Sequence, residues 1–132
     1  MDKENLLKRL ASLIFLIFLL NYLAEKFYWY SAIWWFDMLM HFLGGFWLGL
    51  LFFYIFPPKD NLIRSAIGAL LFVLFIGLGW ELFEVALNNM IAGETFDYVD
   101  TISDLFFDLS GGLCAMLYLL VPFKNQRTGN QE

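Results

Sequence analysis

The chain has 132 residues, 61% apolar and only 16% charged, with a net charge of -5, mean hydropathy of +0.66 and a pI of about 4.7. That balance excludes an ordinary soluble domain, and eight Lys and Arg without an aromatic-interleaved patch give no indication of nucleic-acid binding. It predicts an all-α, polytopic membrane protein with a single domain over 1-132, since about 20 residues of helix cross about 30 Å of hydrocarbon and the length admits about four spans.

The first span is predicted over 6-24. Its apolar core begins at Leu10, and Leu6 and Leu7 extend it if Lys8 and Arg9 snorkel. No small-x-small cleavage signal follows, so the segment reads as a span rather than a signal peptide. Phe27-Tyr28-Trp29-Tyr30 and Trp34-Trp35 have the character of an aromatic belt at the headgroups. A second span follows over 35-56 and is stopped by Pro57-Pro58. Asp60 or Asn61 caps a third over 63-87, which is longer than a bilayer needs and projects at its end. Asn88 to Val99 is a loop, and its acids Glu94 and Asp97, with Asp100 just after it, read as solvated. A fourth span over 101-121 ends at Pro122, and the polar tail 122-132 reads as disordered. Cys114 reads as a packing residue with no redox role.

Lys3, Lys8, Arg9, Lys59, Arg64, Lys124 and Arg127 fall on one side of such a bundle, while Lys26 stands on the other. The positive-inside rule therefore predicts the cytoplasmic (inner) membrane, with both termini in the cytoplasm.

Six ionisable side chains interrupt the apolar segments: Asp37, His41, Glu81, Glu84, Asp104 and Asp108. A charge near the centre of a bilayer costs about 3 kcal/mol on insertion scales, so such residues face a cavity or a partner. His41 lies 15 residues before Phe56, Glu81 lies 16 after Ser65 and Asp104 lies 17 before Val121. Each is thus roughly 22 to 26 Å from the cytoplasmic boundary, in the outer half of the membrane, with Asp108 deeper at roughly 20 Å. Asp37 and His41, Glu81 and Glu84, and Asp104 and Asp108 are spaced by three or four residues, so each pair shares a helix face. Gly45 with Gly49 and Gly111 with Ala115 are small-x3-small pairs that let helices approach.

Other readings stand beside this one. Thr101-x-x-Asp104 has the form of a capping box, Asp100 is itself a cap candidate, and Asp37 and Glu84 could be solvated at the span ends. Asn21 and Tyr22 either hydrogen-bond to the cluster or mark the interface.

Five carboxylates with no Lys or Arg in the same segments cannot all stay charged in a medium of low dielectric. A divalent metal, shared protons or a cationic ligand would each resolve the imbalance. As a metal site the candidates are His41, Glu81, Asp104 and Asp108; mixed imidazole and carboxylate ligands suit Zn, Mn or Fe, carboxylates with water suit Mg or Ca, and the set does not choose among them.

Asp37-x3-His41-Phe42-x2-Gly45-Phe46, Trp80-Glu81-x2-Glu84 and Asp100-Thr101-x2-Asp104-Leu105 with Gly111 resemble, in that order, the bacterial inner-membrane YjdF family and more loosely the VanZ-like proteins. The resemblance runs from Asp37 to Ala115. Asp108 departs from relatives that often carry Asn there, and a front shorter than the family's tends to be suggests a homo-oligomer. The resemblance implies a cell-envelope membrane protein of unsettled activity. VanZ-like proteins are associated with resistance to glycopeptide antibiotics that act at the outer membrane face.

Three functions follow as expectations. One is a binding protein that captures an envelope or lipid-linked ligand among membrane lipids, through all six residues. Another is a metal-assisted enzyme with Glu84 or Asp37 as general base. The last is ion or proton transport.

Overall fold

The computed structural model describes residues 2-58, 61-93 and 95-129, with side chains as far as 119. It is all-α: α1 (Lys3–Phe27), α2 (Trp29–Ala32), α3 (Phe36–Ile55), α4 (Leu62–Ile91) and α5 (Tyr98–Gly129). Helices α1, α3, α4 and the Tyr98–Leu119 part of α5 are long and apolar enough to cross a membrane. Among the described residues there is no strand.

Local chemistry sets the ends. The Asp2 carboxylate accepts from Glu4 N–H at 3.3 Å and caps α1. At the far end Tyr28 adopts a left-handed conformation, φ 56°, which breaks the helix and turns the chain into α2. Proline at 57 and 58 follows the end of α3. The Asn61 side chain accepts from Arg64 N–H at 3.0 Å and caps α4. The alternative cap, Asp60, lies outside the described residues, as does Glu94.

Helix α4 continues four residues beyond the expected Leu87, as far as Ile91, and Gly93 at φ 64° then reverses the chain without a Cβ penalty. The connection to α5 is therefore shorter than the loop expected from Asn88 to Val99. Pro122 does not end α5, whose backbone stays helical to Gly129. Proline removes one helical donor without preventing the turns on either side from closing, so the expected disordered tail is helical up to that residue. Residues 130-132 lie outside the described residues.

Helices α3 and α5 form the most extensive pairing, with α1 against α3 and α4 against both. The cause is the absence of side chains at two facing positions. A Cβ on Gly45 would run into the Asp108 carbonyl, and one on Gly111 into the Phe42 carbonyl. The second pair is also tight, though less so, for a Cβ on Gly49 would stand 2.8 Å from that of Ala115. The small-x3-small reading thus describes real backbone approach.

Toward the start of α1 and the end of α5 lies an apolar core of Leu6, Leu10, Leu50, Phe53, Ala69, Ala115, Met116 and Leu119. The Trp47 indole N–H donates to the Leu10 carbonyl at 2.9 Å, and the Arg9 guanidinium donates to the Tyr118 hydroxyl, which tie α1 to α3 and α5. Cys114 is exposed on the outside of α5 rather than packed inside.

Candidate functional site

The other half of the bundle, away from the Lys3, Lys8, Arg9 and Arg64 ends, holds the ionisable cluster. Asp37 and His41 come from the first turns of α3, Glu81 and Glu84 from the second half of α4, and Asp104 and Asp108 from the early turns of α5. Spacing brings each pair to one face, and the α3–α5 approach at Gly45 and Gly111 brings the faces together. His41 (7% exposed), Glu81 (5%), Asp104 (3%) and Asp108 (5%) are buried, and Asp37 and Glu84 are half-buried.

The His41 ring organises the group. Its Nδ1 stands 3.3 Å from Asp108 Oδ1. Its Nε2 stands 3.8 Å from Glu81 Oε1, 3.8 Å from Asp104 Oδ2 and 3.9 Å from Asp37 Oδ1. The last three separations exceed a hydrogen bond, so Nε2 faces a gap ringed by carboxylates. Glu81 Oε1 is buried with no hydrogen-bond partner, the one such side-chain atom among the described residues. Leaving a buried charged acceptor unsatisfied is costly, and an approaching cation removes that cost.

Two sets of donor atoms lie within 4.8 Å of one another: Asp37, His41 and Asp104, and His41, Glu81 and Glu84. The expected quartet of His41, Glu81, Asp104 and Asp108 is not such a set. Asp108 sits at the other ring nitrogen, and Asp104 and Glu81 fall in different sets. Four ligands about 2.1 Å from one ion stand about 3.4 Å apart, a few tenths shorter than the Nε2–oxygen separations here. The residues fit a metal in donor type and in the orphaned oxygen, and donor sets spread over up to 4.8 Å would have to draw together to grip it.

Beside Glu81 and Glu84 a cleft of about 40 Å³ opens between the end of α4 and the start of α5, lined also by Val85, Asn88, Thr95, Phe96, Asp97, Asp100 and Thr101. Its volume suits about three waters or one small ligand group. Among the described residues no Lys or Arg lines it.

The capping-box reading of Asp104 fails. The Asp97 carboxylate accepts from Val99 N–H at 3.0 Å and Asp100 N–H at 3.3 Å, so Asp97 caps α5 and Asp104 is released to point inward, two turns on. Asp97 is therefore structural rather than merely solvated, and Asp100 is exposed and lines the cleft. Asn21 accepts from the Tyr30 hydroxyl at 2.7 Å, and Tyr22 is exposed.

Tyr30 is the neighbour that pattern reading missed. It lies in α2, outside the spans, where burial first and then the charges of Asp37, Glu25 and Glu84 push its pKa up from 10.0 to about 12. A tyrosine within an aromatic run carries no sign in sequence that it borders an acidic site.

Apolar helices of spanning length around a buried histidine and its carboxylates define a multi-pass membrane protein with a polar interior site. Residues 2–125 match the family described as "Predicted membrane protein (DUF2238)", and the chain belongs to that family. The match takes in α1 as well as the motifs from Asp37 onward. No curated protein and no solved structure matches the chain.

Proposed function

We propose that this protein is a binding protein of the cytoplasmic membrane, with both termini inside, that holds a divalent cation and through it an envelope or lipid-linked ligand. The observation that carries this reading is the orphaned, buried Glu81 Oε1, grouped with Glu84 and His41 beside an open cleft. One imidazole lone pair serves one ion, and of the two triads the one with Glu81 and Glu84 has two members lining the cleft. A first-row ion such as Zn, Mn or Fe suits imidazole with carboxylates. When bound it would polarise an oxygen of the ligand; the protein's own groups orient that ligand, with Asn88, Thr95 and Thr101 offering hydrogen bonds and Val85 and Phe96 apolar contact. The count of Lys and Arg at the span ends supports a site in the outer half of the membrane.

A second reading, a metal-assisted enzyme acting on a lipid-linked substrate, is favoured by Asp37. This half-buried carboxylate stands 3.9 Å from Nε2 and outside the cleft-side triad, so it could serve as a general base. Against transport, the apolar core of Leu50, Phe53, Ala115 and Leu119 fills the far half of the bundle and offers no polar path.

The test is elemental analysis of detergent-purified protein washed without chelator, wild type beside Glu81→Gln. Near-stoichiometric metal that disappears in the variant is expected. No metal in either, and no uptake on titration with Zn²⁺, Mn²⁺ or Fe²⁺, would overturn the metal reading.

A further inference from the structure

Of the two α5 acids expected to ligate a metal, Asp104 and Asp108, the second stands at the other imidazole nitrogen. Its Oδ1 is 3.3 Å from Nδ1, while the other carboxylates surround Nε2. It is also wedged in place. Its carbonyl abuts Gly45 of α3, and a Cβ on Gly77 of α4 would come within 2.6 Å of its Oδ2. Three helices thus meet around Asp108, whose carboxylate packs against the bare Cα of Gly77 while its oxygen reaches Nδ1.

We propose that Asp108 is a positioning residue: it holds His41 as the tautomer protonated on Nδ1 and directs the Nε2 lone pair at the cation. The chemistry is general. An imidazole presents one lone pair, and whichever nitrogen donates to a carboxylate leaves the other as the ligand. The carboxylate also raises the basicity of the ligating nitrogen, and loss of such partners lowers metal affinity by roughly 10- to 100-fold. This assignment rests on the metal reading above and adds to it a division of labour. Glu81 and Glu84 face the ion, and Asp108 acts only through His41.

His41 is the only histidine in the chain, so ¹⁵N-histidine labelling yields a single imidazole signal set. In the zinc-loaded wild-type protein in detergent, Nε2 should be the coordinated nitrogen and Nδ1 the protonated one. Asp108→Leu should lower zinc affinity by roughly 10- to 100-fold and lose the slow exchange of the Nδ1 proton. Asp108→Asn, which keeps an oxygen for Nδ1–H but no charge, should retain the tautomer and fall between the two in affinity. Should the leucine variant fail to fold, the asparagine variant decides the matter by its affinity. Zinc on Nδ1 in the wild type, or wild-type affinity in the foldable variants, would overturn the role of Asp108 while leaving the metal reading intact. A wild-type protein that takes up none of Zn²⁺, Mn²⁺ and Fe²⁺ overturns the metal reading itself.

Discussion

The two halves of the bundle are built from the same helices and are buried to the same degree, yet for opposite reasons. Leu50 is 2% exposed and Asp104 3%. Around Leu50 the neighbours are apolar and the contacts are favourable as they stand. Around Asp104 they are a histidine and carboxylates, an arrangement that dispersion cannot stabilise and that like charges oppose. The apolar half therefore holds the fold, and the polar half is held by it. Removing a side chain should weaken the first and spare, or even relieve, the second. The close helix approach between them is shared, because Gly45 and Gly111 sit beside the cluster while Gly49 and Ala115 lead into the core.

That shared approach is where the largest effect is expected. Gly45→Leu drives a side chain into the Asp108 backbone, which cannot yield as a flexible side chain would, and should abolish folding. Its neighbour Gly44 meets nothing within 4 Å, so Gly44→Leu should express and melt as the wild type does. Thermal unfolding in detergent followed by circular dichroism compares them. Equal melting of the two variants would mean that α3 and α5 are not packed face to face.

A second pair of measurements sets the halves against each other directly. Leu50→Ala should cost about 2 kcal/mol, the low end of the range for buried leucines because lipid is as apolar as the core, and should leave metal binding unchanged. Glu81→Gln should do the reverse. It removes one of several crowded negative charges, so metal-free stability should hold or rise. The about 2.7 kcal/mol that a ligand adds at 100 times its Kd should vanish. If Glu81→Gln unfolds the protein as Leu50→Ala weakens it, the cluster is a structural network and the contrast between the halves collapses.

How far the sequence spoke depends on which physics is involved. The spans were legible because hydrocarbon demands unbroken apolar runs, and the convergence of three residue pairs followed from helical rise and spacing. The close approach of α3 and α5 could be read from Gly45, Gly49, Gly111 and Ala115, since small residues have few other uses at that spacing. What could not be read was direction around an imidazole. Asp104 and Asp108 are both acids on one face of one helix, and only three-dimensional placement shows one facing Nε2 and the other Nδ1. The cap of α5 stayed open in the sequence for a related reason. Asp97, Asp100 and Asp104 are all plausible first-turn acids, and the choice turned on Gly93 reversing the chain early enough for Asp97 to reach the free N–H groups. Pro122 misled because proline is a strong signal at a helix end and an ambiguous one within a long apolar helix.

The smallest expected effect lies at the edge of the polar half, where Tyr30 touches both worlds. Its ring packs edge-on against Phe36 at 5.1 Å between centroids, and its hydroxyl donates to Asn21 at 2.7 Å, so it links α1, α2 and the start of α3. Burial and the nearby Asp37, Glu25 and Glu84 disfavour the tyrosinate, and the pKa rises to about 12. A folded-state pKa above the ordinary 10.0 means the unfolded chain loses this proton first. The stability contributed is therefore complete below pH 10 and is lost as pH rises from there toward about 12. Ultraviolet titration of phenolate absorbance should show one tyrosine ionising late, and Tyr30→Phe should delete that late step. The same variant should lower stability by no more than about 1 kcal/mol, the net worth of one exposed hydrogen bond. Replacing Asp37 and Glu84 together with their amides should pull the late step toward pH 10. If the step stays where it was, burial alone holds the proton, and Tyr30 borders the acidic site without sensing it.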